Sequence, residues 1–229
     1  MANYYTDEIK GKFAEALEEA KQAIRAGDPV TVSISKDNTK MGAVPSVSLL
    51  PFISCPGRCK GTCGEHCYAA KITNLRSTVL KAYAKNTAIA MLKPDLFWSG
   101  VNYAMAGTRF FRFHVSGDIL NGDYFSKLIE ACRNNSHCQV LVFTKRYEII
   151  NAWIKNNGSL PENLHLLFSG WENLKPINPH KLPETNIYTS ETAPHPEWLL
   201  CGGNCYECGC RGVGCWQAKT GETIAFKKH

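Results

Sequence analysis

Nine of the eleven cysteines fall into two short windows, and this clustering constrains the chain more than any other feature. The first window reads Cys55-Pro-Gly-Arg-Cys59-Lys-Gly-Thr-Cys63-Gly-Glu-His-Cys67, four thiols at even three-residue gaps with glycines between them. Glycine lets the backbone turn so that successive sulfurs point inward, which suits a loop wrapped around a metal centre. The second window, Cys201-Gly-Gly-Asn-Cys205-Tyr-Glu-Cys208-Gly-Cys210-Arg-Gly-Val-Gly-Cys215-Trp216, holds five thiols and five glycines. It leaves little room for regular structure, so a metal would have to supply much of its folding energy. The candidate ligands are Cys55, Cys59, Cys63 and Cys67, then Cys201, Cys205, Cys208 and Cys215, with Cys210 as the spare. Cys132 and Cys138 have no glycine support and read as core thiols.

The start of the chain, Met1-Ala-Asn-Tyr-Tyr-Thr-Asp-Glu-Ile-Lys, has no apolar signal core, and no later apolar run is long enough to span a bilayer. A cytoplasmic protein with no membrane partner is expected. In a reducing cytosol, clustered thiols are metal ligands before they are disulfides. A hydrophobic content of 44% with 20% charged residues argues against long disorder, and 229 residues suffice for one well-buried core. The net charge of +6 is compatible with a nucleic-acid or phosphate partner but does not require one.

Along the chain, Ile9, Phe13, Leu17, Ala20 and Ile24 recur at helical spacing, and residues 30–35 alternate as a short edge strand. A strand over about residues 44–53 runs into the first cysteine window. A long helical stretch over residues 71–92 follows, then a second helix over 95–105. From there, strands over 109–115, 139–143, 164–168 and 186–188 alternate with helices over 124–132 and 149–154. Strand and helix in alternation imply βαβ crossovers and a parallel sheet. Five or six strands are too few for a closed eight-stranded barrel, so the expected fold is α/β, an incomplete β/α barrel of TIM type with a cysteine-rich C-terminal segment. One domain is expected over 1–229, with an N-terminal helix and edge strand (1–43), the partial barrel (44–195) and a metal-binding tail (196–229).

If the strands are parallel, their C-terminal ends gather on one rim with the first cysteine window. His114, Ser116 and Asp118 close one strand, and Thr144, Lys145 and Arg146 the next. Ser169, Gly170, Trp171 and Glu172 follow the third strand, and Thr189, Ser190 and Glu191 the fourth. Each has a plainer alternative: a structural histidine for His114, a turn or N-cap role for Asp118, surface charge for Lys145 and Arg146. Trp171 and Trp216 are pocket walls or simply large core residues.

The even gaps fit a four-cysteine zinc site and an iron–sulfur cluster alike. Placement between the end of a core strand and a core helix favours a catalytic iron–sulfur cluster over a zinc knuckle. The phrases SCPGRC…C…CYA, FRFHVSGD, VLVFTKR and NCYECGCRGVGCW resemble the gene product 88 family of bacteriophages and related mobile elements, over roughly residues 40–220. At greater distance the layout is similar to radical S-adenosylmethionine enzymes, with a cysteine loop after the first barrel strand and auxiliary cysteines near the C-terminus.

That resemblance implies two iron–sulfur clusters, most simply [4Fe–4S], and redox or radical-type chemistry at the rim. It also implies S-adenosylmethionine as a possible cofactor, received by Ser116, Gly117 and Asp118. Asp118, His114 and Lys145 would then orient a small or nucleotide-like substrate, with a redox partner supplying electrons. The superfamily spacing is C-x3-C-x2-C with an aromatic before the third cysteine. Here every gap is three, Tyr68 follows the last cysteine, and a fourth thiol is available to cap the open iron. Cys59 is the ligand that breaks the superfamily spacing. The competing reading is a zinc-stabilised nucleic-acid-binding module without enzymatic activity, although the scattered basic residues lack the expected patch.

Overall fold

A computed structural model describes residues 3–189 and 194–228. The chain opens with α1 (Asp7–Arg25), capped by the Thr6 hydroxyl accepting from the Ile9 N–H at 3.3 Å. Its apolar stripe, Ile9, Phe13, Leu17 and Ile24, is buried against the core. The helical run expected over 71–92 is two helices, α2 (Tyr68–Leu75) and α3 (Ser77–Leu92), broken at Arg76, whose backbone is extended. No glycine or proline marks this break. Next comes α4 (Pro94–Ala106), with proline in the first turn where its missing N–H costs nothing. The remaining helices are α5 (Gly122–Asn134), α6 (Tyr147–Asn157) and α7 (Cys205–Arg211).

The strands are β1 (Ile34–Ser35), β2 (Ser46–Val47), β3 (Phe110–Phe113), β4 (Gln139–Thr144), β5 (Leu164–Ser169), β6 (Glu184–Tyr188), β7 (Leu199–Leu200) and β8 (Thr223–Lys227). They form one sheet in the order β1-β2-β3-β4-β5-β6-β8-β7. Only β1 runs antiparallel to its neighbour; every other pair is parallel. β1 and β7 are the two edges and do not pair with each other, so the sheet is open. The architecture is the expected α/β one with a mostly parallel sheet. The strand count differs: β7 and β8 add to the five or six read from the sequence. β7 is two exposed leucines with no alternation, and β8 lies beyond the cysteine window, where only a terminal tail was expected.

The two faces of the sheet are covered differently. Phe111, Phe113, Val140, Val142, Leu166 and Phe168 face a core completed by α1, α3, α4, α5 and α6. Phe110, Leu141, Leu167 and Ile224 point the other way and are covered by Met41, Val44, Cys208 and Trp216. In a β/α barrel the helix-free face is the inward one. Here the cysteine-rich C-terminal segment lies on it. No described helix is long and apolar enough to cross a membrane.

β2 is much shorter than the strand expected over 44–53. Beyond Val47 the backbone leaves the ladder, and its buried polar groups find other partners, as burial requires. The Asn86 amide donates to the Ser48 carbonyl at 3.1 Å, and the Leu50 N–H donates to the Thr87 hydroxyl at 2.8 Å. The Leu49 N–H donates to the Ser116 carbonyl at 2.9 Å. Two polar residues buried in α3 thus replace a strand neighbour and free residues 51–67 to turn at the rim.

Candidate metal centre

The first cysteine window is a tethered loop. It contains one short 3₁₀ turn, Gly57–Cys59, and ends where Cys67 caps α2, its sulfur accepting from the Ala70 N–H at 3.4 Å. Three contacts hold it from outside. The Tyr4 N–H donates to the Glu65 carbonyl at 2.9 Å, and the Asn173 amide to the Gly61 carbonyl at 3.0 Å. Arg58 pairs with Glu148 of α6 at 2.5 Å and lies over the Tyr147 ring. Gly64 has no room for a side chain, because a Cβ there would sit 2.5 Å from the Cys59 carbonyl oxygen.

Within this loop the thiols converge. Cys59 is buried and hydrogen-bonded to both Cys55 and Cys63. Those contacts, followed by burial, push its pKa strongly up, so the proton stays on Cys59 between two neighbours. Cys63 is held down at about 6, first by the Cys59 thiol and then by the Lys145 ammonium. Burial pushes Cys67 up to about 12, and the charges of Cys55 and Cys63 reach it as well. All four sulfurs therefore share one electrostatic environment.

The second window lies on the opposite face of the sheet, against Phe110, Leu141 and Leu167. It is more regular than expected. Residues 205–211 are helical, with the Asn204 side chain capping the N-terminus and left-handed Gly212 ending the helix. The helix packs because Gly209 lacks a side chain; a Cβ there would lie 2.8 Å from the Phe110 ring. The Trp216 indole donates to the Cys205 carbonyl at 2.8 Å. Burial raises Cys205 and Cys215, and each feels the charges of Cys201 and Cys208. Cys210 is exposed, while Cys132 and Cys138 are buried in the core of the helix-covered face.

Among the described residues, no group of three or more His, Cys, Asp or Glu side chains is placed to hold a metal ion. The donor chemistry of both windows nonetheless fits metal, since softer metals and iron–sulfur clusters take thiolates.

The rim residues serve mainly to brace the first loop. Asp118 is buried, and its carboxylate accepts from the Thr144 hydroxyl at 2.6 Å, the Lys145 N–H at 2.8 Å and the Ile119 N–H at 2.8 Å. Burial raises its pKa against those bonds. Gly117 packs on Leu49 and Ser54, and the Ser116 hydroxyl is buried with no partner. Arg146 clamps the base of the loop, donating to the Ile119 carbonyl at 2.9 Å and the Ser54 carbonyl at 2.8 Å. Lys145 faces the site: its ammonium donates to the Ser169 hydroxyl at 2.7 Å and lies within electrostatic reach of Cys63. Glu172 pairs with Lys228 at 3.0 Å beside Trp171. Thr189 follows β6, and Ser190 and Glu191 lie outside the described residues.

His114 adopts a left-handed φ of 57°, contacts the Tyr124 hydroxyl at 3.1 Å, and leaves its Nδ1 buried without a partner. Burial holds its pKa down at about 3, so the folded protein keeps the imidazole neutral. An unfolded histidine takes up a proton near pH 6.5. Between about pH 6.5 and 3 the unfolded chain binds the extra proton, so stability falls as pH drops through that window. The slope is about 1.4 kcal/mol per pH unit at most. His114→Gln should flatten the pH dependence of unfolding free energy between about pH 6 and 4.5 relative to the unmodified protein. Equal slopes would mean that His114 titrates normally.

A model of the gene product 88 family matches residues 12–222, a span that contains both cysteine windows. The chain belongs to the gene product 88 family. No curated protein and no solved structure shows significant similarity to it.

In this gene product 88 protein, two residues passed over in the sequence stand between the cysteine groups. The Tyr68 hydroxyl donates to the Val115 carbonyl at 2.5 Å. Half of the residue is open, yet its phenol end is enclosed, and that burial pushes it up to about 12; Arg112 opposes the shift, and Cys67 and Cys205 add to it. Arg112 lies over the Phe143 ring at 4.7 Å and donates to the Cys205 sulfur at 3.7 Å, while its Nε is buried with no partner. The local sequence held a signal for it. A lone arginine in Phe110-Phe111-Arg112-Phe113 is a charge inside a core strand, and buried charges are kept only with a partner or a task.

Proposed function

We propose that this protein is an iron–sulfur protein that performs redox chemistry on a small anionic molecule held between its two cysteine groups. The observation that carries the reading is the gathering of the four thiols of residues 55–67 into one environment at the rim. Cys55, Cys59, Cys63 and Cys67 would hold one centre, and Cys201, Cys205, Cys208 and Cys215 the other. Such centres supply one-electron transfer when bound.

The remaining work falls to the chain. Lys145 and Arg112 offset the negative charge of the thiolates, and Arg112 still has a buried Nε to give to an acceptor on the substrate. Tyr68 lies within electrostatic reach of Arg112, Cys67 and Cys205. Asp118, Thr144 and Arg146 hold the loop in place, so their role in this reading is positioning. Two of the three groups expected to receive S-adenosylmethionine are engaged within the protein: Asp118 accepts three internal hydrogen bonds and Gly117 is packed against Leu49 and Ser54, while the Ser116 hydroxyl is buried with no partner. The proposal therefore requires an electron-carrier partner and does not require S-adenosylmethionine. One observation favours zinc instead: Cys59 is hydrogen-bonded to both Cys55 and Cys63, and a four-cysteine loop is also the donor set of a structural zinc site.

The two readings separate cleanly. Protein purified without oxygen should be brown, contain iron and acid-labile sulfide at about one to one, and bleach on reduction with dithionite. A colourless protein that keeps stoichiometric zinc after anaerobic incubation with iron and sulfide would overturn the proposal in favour of the zinc-stabilised nucleic-acid-binding module.

A further inference from the structure

At the opposite end of the strands from the 55–67 loop, a cavity of about 470 Å³ opens where β3 and β4 begin. Its polar lining comes from Arg109, His137, Gln139, His165, Arg211 and Gln217, and no aspartate or glutamate faces it. Among the described residues neither arginine takes part in an ion pair. Two guanidinium groups on one acid-free cleft make a local positive field, and guanidinium matches phosphate oxygens in pairs.

The walls are built, not accidental. Arg109 lies on the Phe110 ring at 5.1 Å, which fixes the base of its side chain. Phe110 also packs on Trp216 at 5.0 Å between ring centroids, and Trp216 is anchored to Cys205 by its indole hydrogen bond. The closeness of Gly209 to Phe110 brings α7 down so that Arg211 reaches the mouth of the cleft. Carbonyls at the end of a helix would repel an anion, but here two are already bonded. The Gly212 N–H donates to the Gly209 carbonyl at 3.1 Å and the Val213 N–H to the Cys208 carbonyl at 3.0 Å. His165 Nε2 and the Gln139 carboxamide oxygen meet at 2.7 Å, which turns the Gln139 amide nitrogen outward as a donor.

We propose that this cleft binds a phosphate monoester of about mononucleotide size, with Arg109 and Arg211 on the phosphate and the Gln139 and Gln217 amides on the sugar or base. The volume lies within the range of small-molecule sites, about 300–1,000 Å³. This site is separate from the proposed redox centre and does not depend on which metal the thiols hold. Its wall does share α7 with Cys205 and Cys208, so the test uses the protein with its metal in place.

Calorimetric titration with AMP, ribose 5-phosphate, inorganic phosphate and adenosine reads the proposal directly. AMP should bind saturably and at least about tenfold more tightly than adenosine, because the phosphate carries the charge-assisted bonds. Arg109→Gln and Arg211→Gln should each weaken AMP by about tenfold with melting temperature and metal content unchanged. Glutamine keeps the length and polarity of the exposed arm, so loss of fold is not expected, and the unchanged melting checks it. Absence of saturable binding by all three phosphates would overturn the proposal, as would equal affinity for AMP and adenosine. So would retention of AMP binding in both arginine variants. A single-stranded oligonucleotide that binds and is not displaced by AMP would also overturn it, assigning the cleft to a nucleic-acid backbone.

Discussion

On the proposed iron–sulfur reading, Cys59→Ser will strip the metal from the 55–67 loop and remove about half of the iron, whereas Cys210→Ser will leave the iron content unchanged. Spacing alone ranks Cys59 lowest among the loop ligands, because it is the cysteine that breaks the pattern of the superfamily the loop resembles. The geometry reverses that ranking. Cys59 is the buried thiol of the loop and the one hydrogen-bonded to two others. Its carbonyl oxygen also accepts from the Gly64 N–H at 2.9 Å, so the residue lies at the centre of the turn. Serine keeps the size but is a poor ligand for soft metals. Cys210, by contrast, is exposed and is absent from the charges that reach Cys205 and Cys215. Iron and sulfide per chain, measured beside the melting temperature, check both variants. Full iron retention in Cys59→Ser would mean that Cys55, Cys63 and Cys67 hold the centre alone, with one coordination position open. Electron paramagnetic resonance with and without S-adenosylmethionine would then read that position.

Gly117→Ala will lower the melting temperature by roughly 6–12 °C and loosen the metal loop with it. Two costs combine. Gly117 has a φ of 81°, a left-handed conformation that costs a side chain about 1–2 kcal/mol. A Cβ there would also press on the Ser54 hydroxyl and sit 2.8 Å from the Leu49 Cβ and 2.9 Å from the Leu49 carbonyl. Overpacking of a tight site adds about 1–3 kcal/mol, for a total near 3 kcal/mol. Ser54 and Leu49 belong to the segment that leads into Cys55, so strain is delivered to the base of the cysteine loop. Iron should be lost at a lower temperature than in the unmodified protein. Gly122→Ala is the control: it lies in the first turn of α5 with a negative φ and nothing within 4 Å of a Cβ, and should change stability by less than about 0.5 kcal/mol. A Gly117→Ala protein that melts within about 2 °C of the unmodified one would show that the segment shifts freely to make room.

The chemistry of the site was legible early because it is written in residue type and local spacing. Thiols at short intervals with glycine between them can reach one another without help from distant parts of the chain, and within each window their charges are felt by one another. The alternation of β3, α5, β4, α6 and β5 was legible for a similar reason: each is an apolar run of the right period, buried on at least one face. The short strands were not. β2 stops at Val47 because Asn86 and Thr87, 38 and 37 residues along the chain from the groups they bond, hold the backbone of Ser48 and Leu50. The helix at 205–211 was hidden by glycine and cysteine, poor helix formers that are tolerated because Gly209 fits against Phe110.

By itself, then, the sequence determined the class of the fold and the clustering of the thiols, since period, turn residues and thiol spacing act within a few residues of one another. Tertiary structure decided how those parts serve the site. It turned Asp118, Gly117 and Arg146 into braces for the loop, because the ends of parallel strands bring the Asp118 N–H and the Arg146 guanidinium within hydrogen-bond reach of Ser54 and lay Gly117 against it. It placed Arg112 against Cys205 and Tyr68 near both cysteine groups, contacts spanning many tens of residues. Pairings at that separation depend on how strands are ordered in the sheet and on which face the tail covers, and no local pattern of residues encodes either.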